Sequence, residues 1–138
     1  MDRNRSMPSA TVIPTLAYDA VLEAAEWLRR AFGFREHLII GDHRVQMEYG
    51  CAGFIVVTKR LENSAVAASQ DHSIMLRVED VDSHFVKASQ NGAMIVAEPA
   101  DKPYGERQYS AVDIGGHLWT FSQSIVDVEP ESWGGKLV

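Results

Sequence analysis

Few side chains in this sequence combine the type and spacing that chemistry requires. The histidines are His37, His43, His72, His84 and His117, and no two of them form an HxH or HExxH pair of metal ligands. His117 opens a strand beside Gly115-Gly116, where its expected role is a hydrogen bond that holds the turn. His84 lies between polar helix neighbours, where exposure is expected. Glu48 and Asp113 occupy nearly matching places in two similar stretches, and with His72 they are the acid–base candidates. Arg77 is a guanidinium in an otherwise apolar strand, suited to a carboxylate or enolate. Tyr49, Phe54 and Tyr109 could stack on a flat ligand, whereas Trp119 falls to the core by strand parity. Glu106-Arg107 reads as an ion pair at a surface or subunit interface. Cys51 is the only cysteine, has no CxxC partner, and reads as an incidental turn residue. Gly115-Gly116 leads into a strand rather than a helix, so it is no phosphate loop, and no nucleophile elbow occurs.

The elements that must position these residues form a repeat. Tyr104 to Gln123 reads as a hairpin of two alternating runs about Gly115-Gly116. Arg44 to Lys59 (RVQMEYGCAGFIVVTK) overlays on Gln108 to Gln123, and VIPTLAYD (Val12 to Asp19) matches SIMLRVED (Ser73 to Asp80). Each copy is a strand, a helix and three strands. In the first, Val12 to Ala17 is a strand and Asp19 caps a helix carrying Val21, Ala25, Leu28 and Phe32, closed by Gly33. Strands follow over Arg35 to Ile40, Arg44 to Tyr49 and Phe54 to Lys59. Leu61 to Asp71 is the linker. In the second copy Ser73 to Val78 is a strand and Asp80 caps a helix ending at Gly92. Met94 to Ala97 is a short strand, Glu98 to Pro103 a loop, and Tyr104 to Gln123 the closing hairpin. Residues 1–10 are a polar tail. Ser124 to Val138 is a second tail, with Trp133 able to pack back on the body or to reach a partner.

Strand alternation then assigns faces. Ile55, Val57, Ile74, Leu76, Val78, Trp119 and Phe121 should meet the helices. The opposite face carries Phe54, Val56, Thr58, Ser73, Met75, Arg77, Leu118, Thr120 and Ser122, and if Tyr49 pairs with Phe54 and Asp113 with Leu118, Met47, Tyr49, Tyr109 and Ala111 join it. That mixture of aromatic, polar and cationic side chains suits a ligand cleft between the copies, or a face covered by a partner subunit.

Composition excludes several classes. A net charge of -6 argues against nucleic-acid binding, which needs clustered Lys and Arg. No run approaches the ~18 apolar residues of a membrane span, and MDRNRSMPSA lacks a secretory apolar core. A cytoplasmic protein with no membrane partner is the expectation.

The paired units, YDAVLEAAEWLRRAFGF in the first and VEDVDSHF…NGA with DIGGHLWTF in the second, resemble the vicinal-oxygen-chelate superfamily of glyoxalases, bleomycin-resistance proteins and extradiol dioxygenases. The resemblance runs from Thr11 to Gln123 as one domain. It implies an α+β fold of two tandem βαβββ modules forming a curved mixed sheet around a half-barrel cleft, with helices outside. In metal enzymes of that family each module gives two ligands, which here map to Val12, Val56, Ser73 and Thr120, none a normal donor for a catalytic divalent ion. His72 lies one residue from the mapped position and points to the other face. The resemblance thus implies the metal-free, drug- or metabolite-binding branch, without cofactor and typically dimeric. The alternative is a lyase, isomerase or dioxygenase with an atypical metal site, or with acid–base catalysis by Glu48, His72 or Asp113.

Overall fold

The computed structural model describes residues 5–61 and 72–138. The expected linker falls outside the described residues, except for Leu61, as do the first four residues of the N-terminal tail. The first module contains β1 (Thr15–Tyr18), α1 (Val21–Phe32), β2 (Arg35–Ile40), β3 (Arg44–Tyr49) and β4 (Gly53–Lys59). The second contains β5 (Ile74–Arg77), α2 (Val81–Gln90), β6 (Met94–Asp101), β7 (Glu106–Val112) and β8 (Leu118–Ser124), followed by a short 3-10 turn at Pro130–Trp133. Each module makes one four-stranded mixed sheet, in the orders β1-β4-β3-β2 and β5-β8-β7-β6. In both, the first strand pairs parallel with the last, and the remaining pairs are antiparallel. The fold is the expected α+β pair of βαβββ modules.

The chain divides into two compact units. One holds the first module together with Ile114–His117, and the other holds the rest of the second module and the C-terminal segment.

In the first unit, helix α1 presents Val21, Ala24, Ala25, Leu28, Ala31 and Phe32 on one buried stripe. This stripe packs on β1, β3 and β4, where Leu16, Val45, Met47, Ile55 and Val57 are buried. Each fully buried side chain of this size contributes about 1.5–3 kcal/mol of transfer free energy. Glu23 lies in the first turn and Arg29 and Arg30 in the last, matching the helix dipole at both ends. The helix is capped by Ala20 rather than Asp19, and no side chain bonds its first amides. Asp19 is drawn instead to Arg60, whose Nη1 donates to it at 3.3 Å. The other guanidinium nitrogen of Arg60 donates to the carbonyls of Ala17 and Gly115, each at 3.1 Å. His117 donates from Nε2 to the same Ala17 carbonyl at 2.8 Å, the turn-holding role expected of it. Only glycine fits at position 115, because a Cβ there would stand 2.4 Å from the Tyr18 ring.

In the second unit, α2 is capped as expected: the Asp80 carboxylate accepts from the Ser83 amide at 3.2 Å and from its hydroxyl at 2.8 Å. The core beneath it stacks aromatic rings. Tyr109 and Phe121 are 4.8 Å apart, and Trp119 lies parallel to Phe121 at 6.1 Å. His84 is not exposed as expected. Its ring lies 4.3 Å from Phe121, and its Nδ1 hydrogen-bonds the Tyr109 hydroxyl. Strand β6 runs on to Asp101, past the expected end at Ala97. Its pairing with β7 shifts register between Ile95 and Ala97 and again between Ala97 and Ala100, which accommodates Pro99 on an edge strand.

The hairpin register differs from expectation by one residue in both modules. Tyr49 pairs with Gly53 and Glu48 with Phe54; in the second module Val112, not Asp113, pairs with Leu118. Since side chains alternate, one step moves a whole strand to the other face. Met47, Tyr49 and Tyr109, expected on the ligand face, therefore lie on the helix-packed face. Met47 and Tyr109 are buried, and Tyr49 packs against Phe34 at 5.5 Å between ring centres.

Candidate functional site

With Tyr109 and Ala111 turned toward α2, β7 presents Glu106, Gln108, Ser110 and Val112 on the opposite, open face of its sheet. Beside them β8 presents Leu118, Thr120 and Ser122, and β5 presents Met75 and Arg77. The polar groups are linked in series. The Tyr104 hydroxyl donates to Gln108 Oε1 at 2.9 Å, and Gln108 Nε2 donates to Ser122 Oγ at 3.0 Å. Ser122 Oγ donates to Glu106 Oε1 at 2.6 Å. Further along the sheet, the Ser110 and Thr120 hydroxyls share a hydrogen bond of 2.9 Å.

The C-terminal segment supplies a wall. The amides of Ile125 and Val126 both donate to the Gly105 carbonyl, at 2.8 and 3.2 Å. Position 105 has φ +85°, and a Cβ there would stand 1.9 Å from the Val126 carbonyl oxygen, so only glycine lets the segment pass. The segment then turns through Pro130–Trp133, and the Trp133 indole donates to the Val128 carbonyl at 3.2 Å. The Trp133 ring meets Tyr104 edge to face at 5.7 Å. The result is an open depression of about 670 Å³ lined by Met75, Arg77, Tyr104, Glu106, Gln108, Ser122 and Trp133.

Its electrostatics are defined by two groups. The Ser122 hydroxyl holds the Glu106 carboxyl below the usual carboxylate range, with a bond from Ser124 and the positive charge of Arg77 acting in the same direction. Arg77 has no hydrogen-bond acceptor or ion-pair partner among the described residues, and it acts on the site through its charge alone. Arg107, next to Glu106 in sequence, points away from the depression and bridges Asp82 at 3.1 Å and Asp101 at 3.0 Å. The expected Glu106-Arg107 pairing is thus resolved into two separate roles.

Of the sequence candidates, Met75 and Arg77 line this depression. Leu118 and Thr120 share its sheet face, and Phe54 lies on the corresponding face of the first sheet. Tyr104, Glu106, Gln108 and Trp133 had not been singled out as site residues. The polar alternation of Glu106, Gln108 and Ser110 is the signal for β7, whereas nothing local marks Tyr104; Trp133, expected to pack back on the body or to reach a partner, packs back on Tyr104. The acid–base candidates are engaged or isolated. Glu48 takes Arg35 at 3.2 Å, with His37 at 3.6 Å. His72 is exposed, and Asp113 is buried and accepts the Trp119 indole N–H at 2.9 Å.

The metal site of the resembled enzymes does not fit the donors here. Thr15 pairs with Val56 and Met75 with Thr120, so the first-strand counterpart of Ser73 is Ile13 rather than Val12. Ile13 and Val56 are hydrocarbon, the Thr120 hydroxyl is bonded to Ser110, and Ser73 offers only a weak neutral oxygen. Among the described residues, no group of three or more His, Cys, Asp or Glu side chains is placed to hold an ion.

Fold and site together define an α+β protein with a solvent-open, polar and aromatic sheet face. The model of the Glyoxalase/Bleomycin resistance protein/Dioxygenase superfamily matches residues 14–121, and the chain belongs to that family. Among solved structures it is similar to TioX from Micromonospora sp. ML1, with 35% identity over 87% of this chain and 100% of that one, at a TM-score of 0.69. It shares its fold with a glyoxalase/bleomycin resistance protein/dioxygenase family enzyme from Burkholderia phytofirmans PsJN, at 14% identity, coverage of 82% and 97%, and a TM-score of 0.71. It likewise shares the fold of the fosfomycin resistance protein FosX from Listeria monocytogenes, at 14% identity, coverage of 87% and 97%, and a TM-score of 0.68. No curated protein sequence matches the chain. Among the described residues, no helix is long and apolar enough to cross a membrane.

Proposed function

We propose that this protein binds a small organic molecule, a drug or metabolite, on the open face of the β5-β8-β7-β6 sheet, without help from a metal ion. The observation that carries this reading is the depression itself. Tyr104 and Trp133 form an aromatic wall beside the linked groups Gln108, Ser122 and Glu106, with the Arg77 cation in the same lining. An apolar wall with a few fixed polar groups is the usual makeup of a small-molecule site. The mapped ligand positions Ile13, Val56, Ser73 and Thr120 support metal independence, because their side chains are hydrocarbon or neutral hydroxyl. That FosX is named a resistance protein is consistent with a drug-directed role on this fold, although fold alone does not assign one.

A thermal-shift screen of aromatic drugs and metabolites, run in a chelator, tests the reading. Hits that lose their effect in a Tyr104→Ala, Trp133→Ala double variant support it. Hits that stabilise the protein only after addition of Ni, Mn, Zn or Fe(II) would overturn it.

A further inference from the structure

Two other features of the molecule have local structural roles. In the smaller depression around Arg60, that residue's donors are taken by its bonds to Ala17, Asp19 and Gly115. The buried Gln46 amide holds the Ser6 carbonyl at 2.7 Å. The Arg77 side chain is different, because its donors have no hydrogen-bond acceptor or ion-pair partner among the described residues.

We infer that the ligand of the Tyr104–Trp133 depression is a flat aromatic anion, with a carboxylate or comparable oxyanion on Arg77 and its ring along the aromatic wall. This inference rests on the depression being the binding site. Arg77 stands on β5, an edge strand, directly opposite Ser122 in the parallel register. Its planar fork of donors matches a carboxylate in bidentate fashion, and among the described residues no carboxylate takes that place. Among the described residues Glu106 is the only acid lining the depression, and the Ser122 hydroxyl already occupies one of its oxygens. A ligand cation therefore meets a carboxylate that is partly used and the repulsion of Arg77, whereas a ligand anion meets an unused fork. The rest of the lining selects a ring. Met75 is an exposed, polarisable side chain beside the cation, and Tyr104 and Trp133 offer aromatic edges and faces.

The test uses the full-length protein and three matched probes: 2-naphthoate, its neutral methyl ester, and 2-naphthylmethylammonium. Binding is measured by calorimetry, and the indole N–H resonance of Trp133 reports the location. 2-Naphthoate is expected to bind on the order of tenfold more tightly than the ester, and the ammonium probe more weakly than either. Arg77→Gln should bring 2-naphthoate down to the ester's affinity, and Arg77→Lys, which keeps the charge but loses the fork, should fall between. Unfolding midpoints equal to that of the parent protein verify that both variants fold. If acid and ester bind equally and both shift Trp133, the inference fails and the site stands. If no probe binds or shifts Trp133, both fail.

Discussion

The rings of Tyr104 and Trp133 meet edge to face at 5.7 Å, and this contact joins the C-terminal segment to the sheet. It depends on Gly105, just ahead of β7, where the segment passes at a distance no side chain permits. Gly105→Ala should therefore release the segment. A left-handed non-glycine residue alone costs about 1–3 kcal/mol. The expected outcome is a red-shifted Trp133 emission and weakened ligand binding, with the stacked Trp119 core retained. Unchanged emission would show that the wall stands without this close passage.

Asp113 is the anchor of Trp119. Removing its carboxylate in Asp113→Ala leaves a buried indole N–H without an acceptor, at a cost of about 1–3 kcal/mol. Asp113→Asn keeps an acceptor and should cost less. Urea unfolding of the two variants measures the difference, and equal losses would argue that the bond contributes little.

Glu106 makes stability depend on acid. Its native carboxyl titrates below the unfolded value of ~4.3, so its contribution is complete above that pH and is lost as pH falls through the lower native value. Ser122→Ala removes the main cause of the shift. Between about pH 5 and 3 this variant should lose less stability than the parent. Parallel pH profiles for the two proteins would contradict this.

Gln46 is buried, and its Oε1 has no partner among the described residues. Gln46→Leu removes that orphaned acceptor along with the bond to Ser6. The two effects oppose each other, so the change in unfolding free energy should stay within about 1 kcal/mol. A loss several times larger would mean that the bond to Ser6 holds residues 5–10 on the sheet.

The modular plan was legible because hydrophobic spacing and capping operate locally. Val21, Leu28 and Phe32 mark one helix stripe, and Asp80 does cap the other helix. Register was not legible, because it depends on how many residues each turn consumes. In the second hairpin Asp113 joins the turn to reach Trp119, which makes Val112 the partner of Leu118 and turns Tyr109 inward. In the first, Gly53 rather than Phe54 faces Tyr49, whose ring closes on Phe34. The same one-residue ambiguity displaced the α1 cap from Asp19 to Ala20, since Arg60, distant in sequence, claims the Asp19 carboxylate. With the register one residue off, Glu106 and Gln108 fall on the helix-packed face, which hides them as site residues. Trp133 reaches the site only through the close passage of its segment at Gly105, which no spacing rule encodes.

The most direct test of the central claim is amide and indole shift mapping by NMR, with a screened ligand added in the presence of chelator. The binding account predicts shifts confined to β5, β7, β8 and the Trp133 indole, with Arg77, Gln108 and Ser122 moving most. Shifts centred on the first module's sheet, or shifts that appear only after a divalent metal is added, would contradict it.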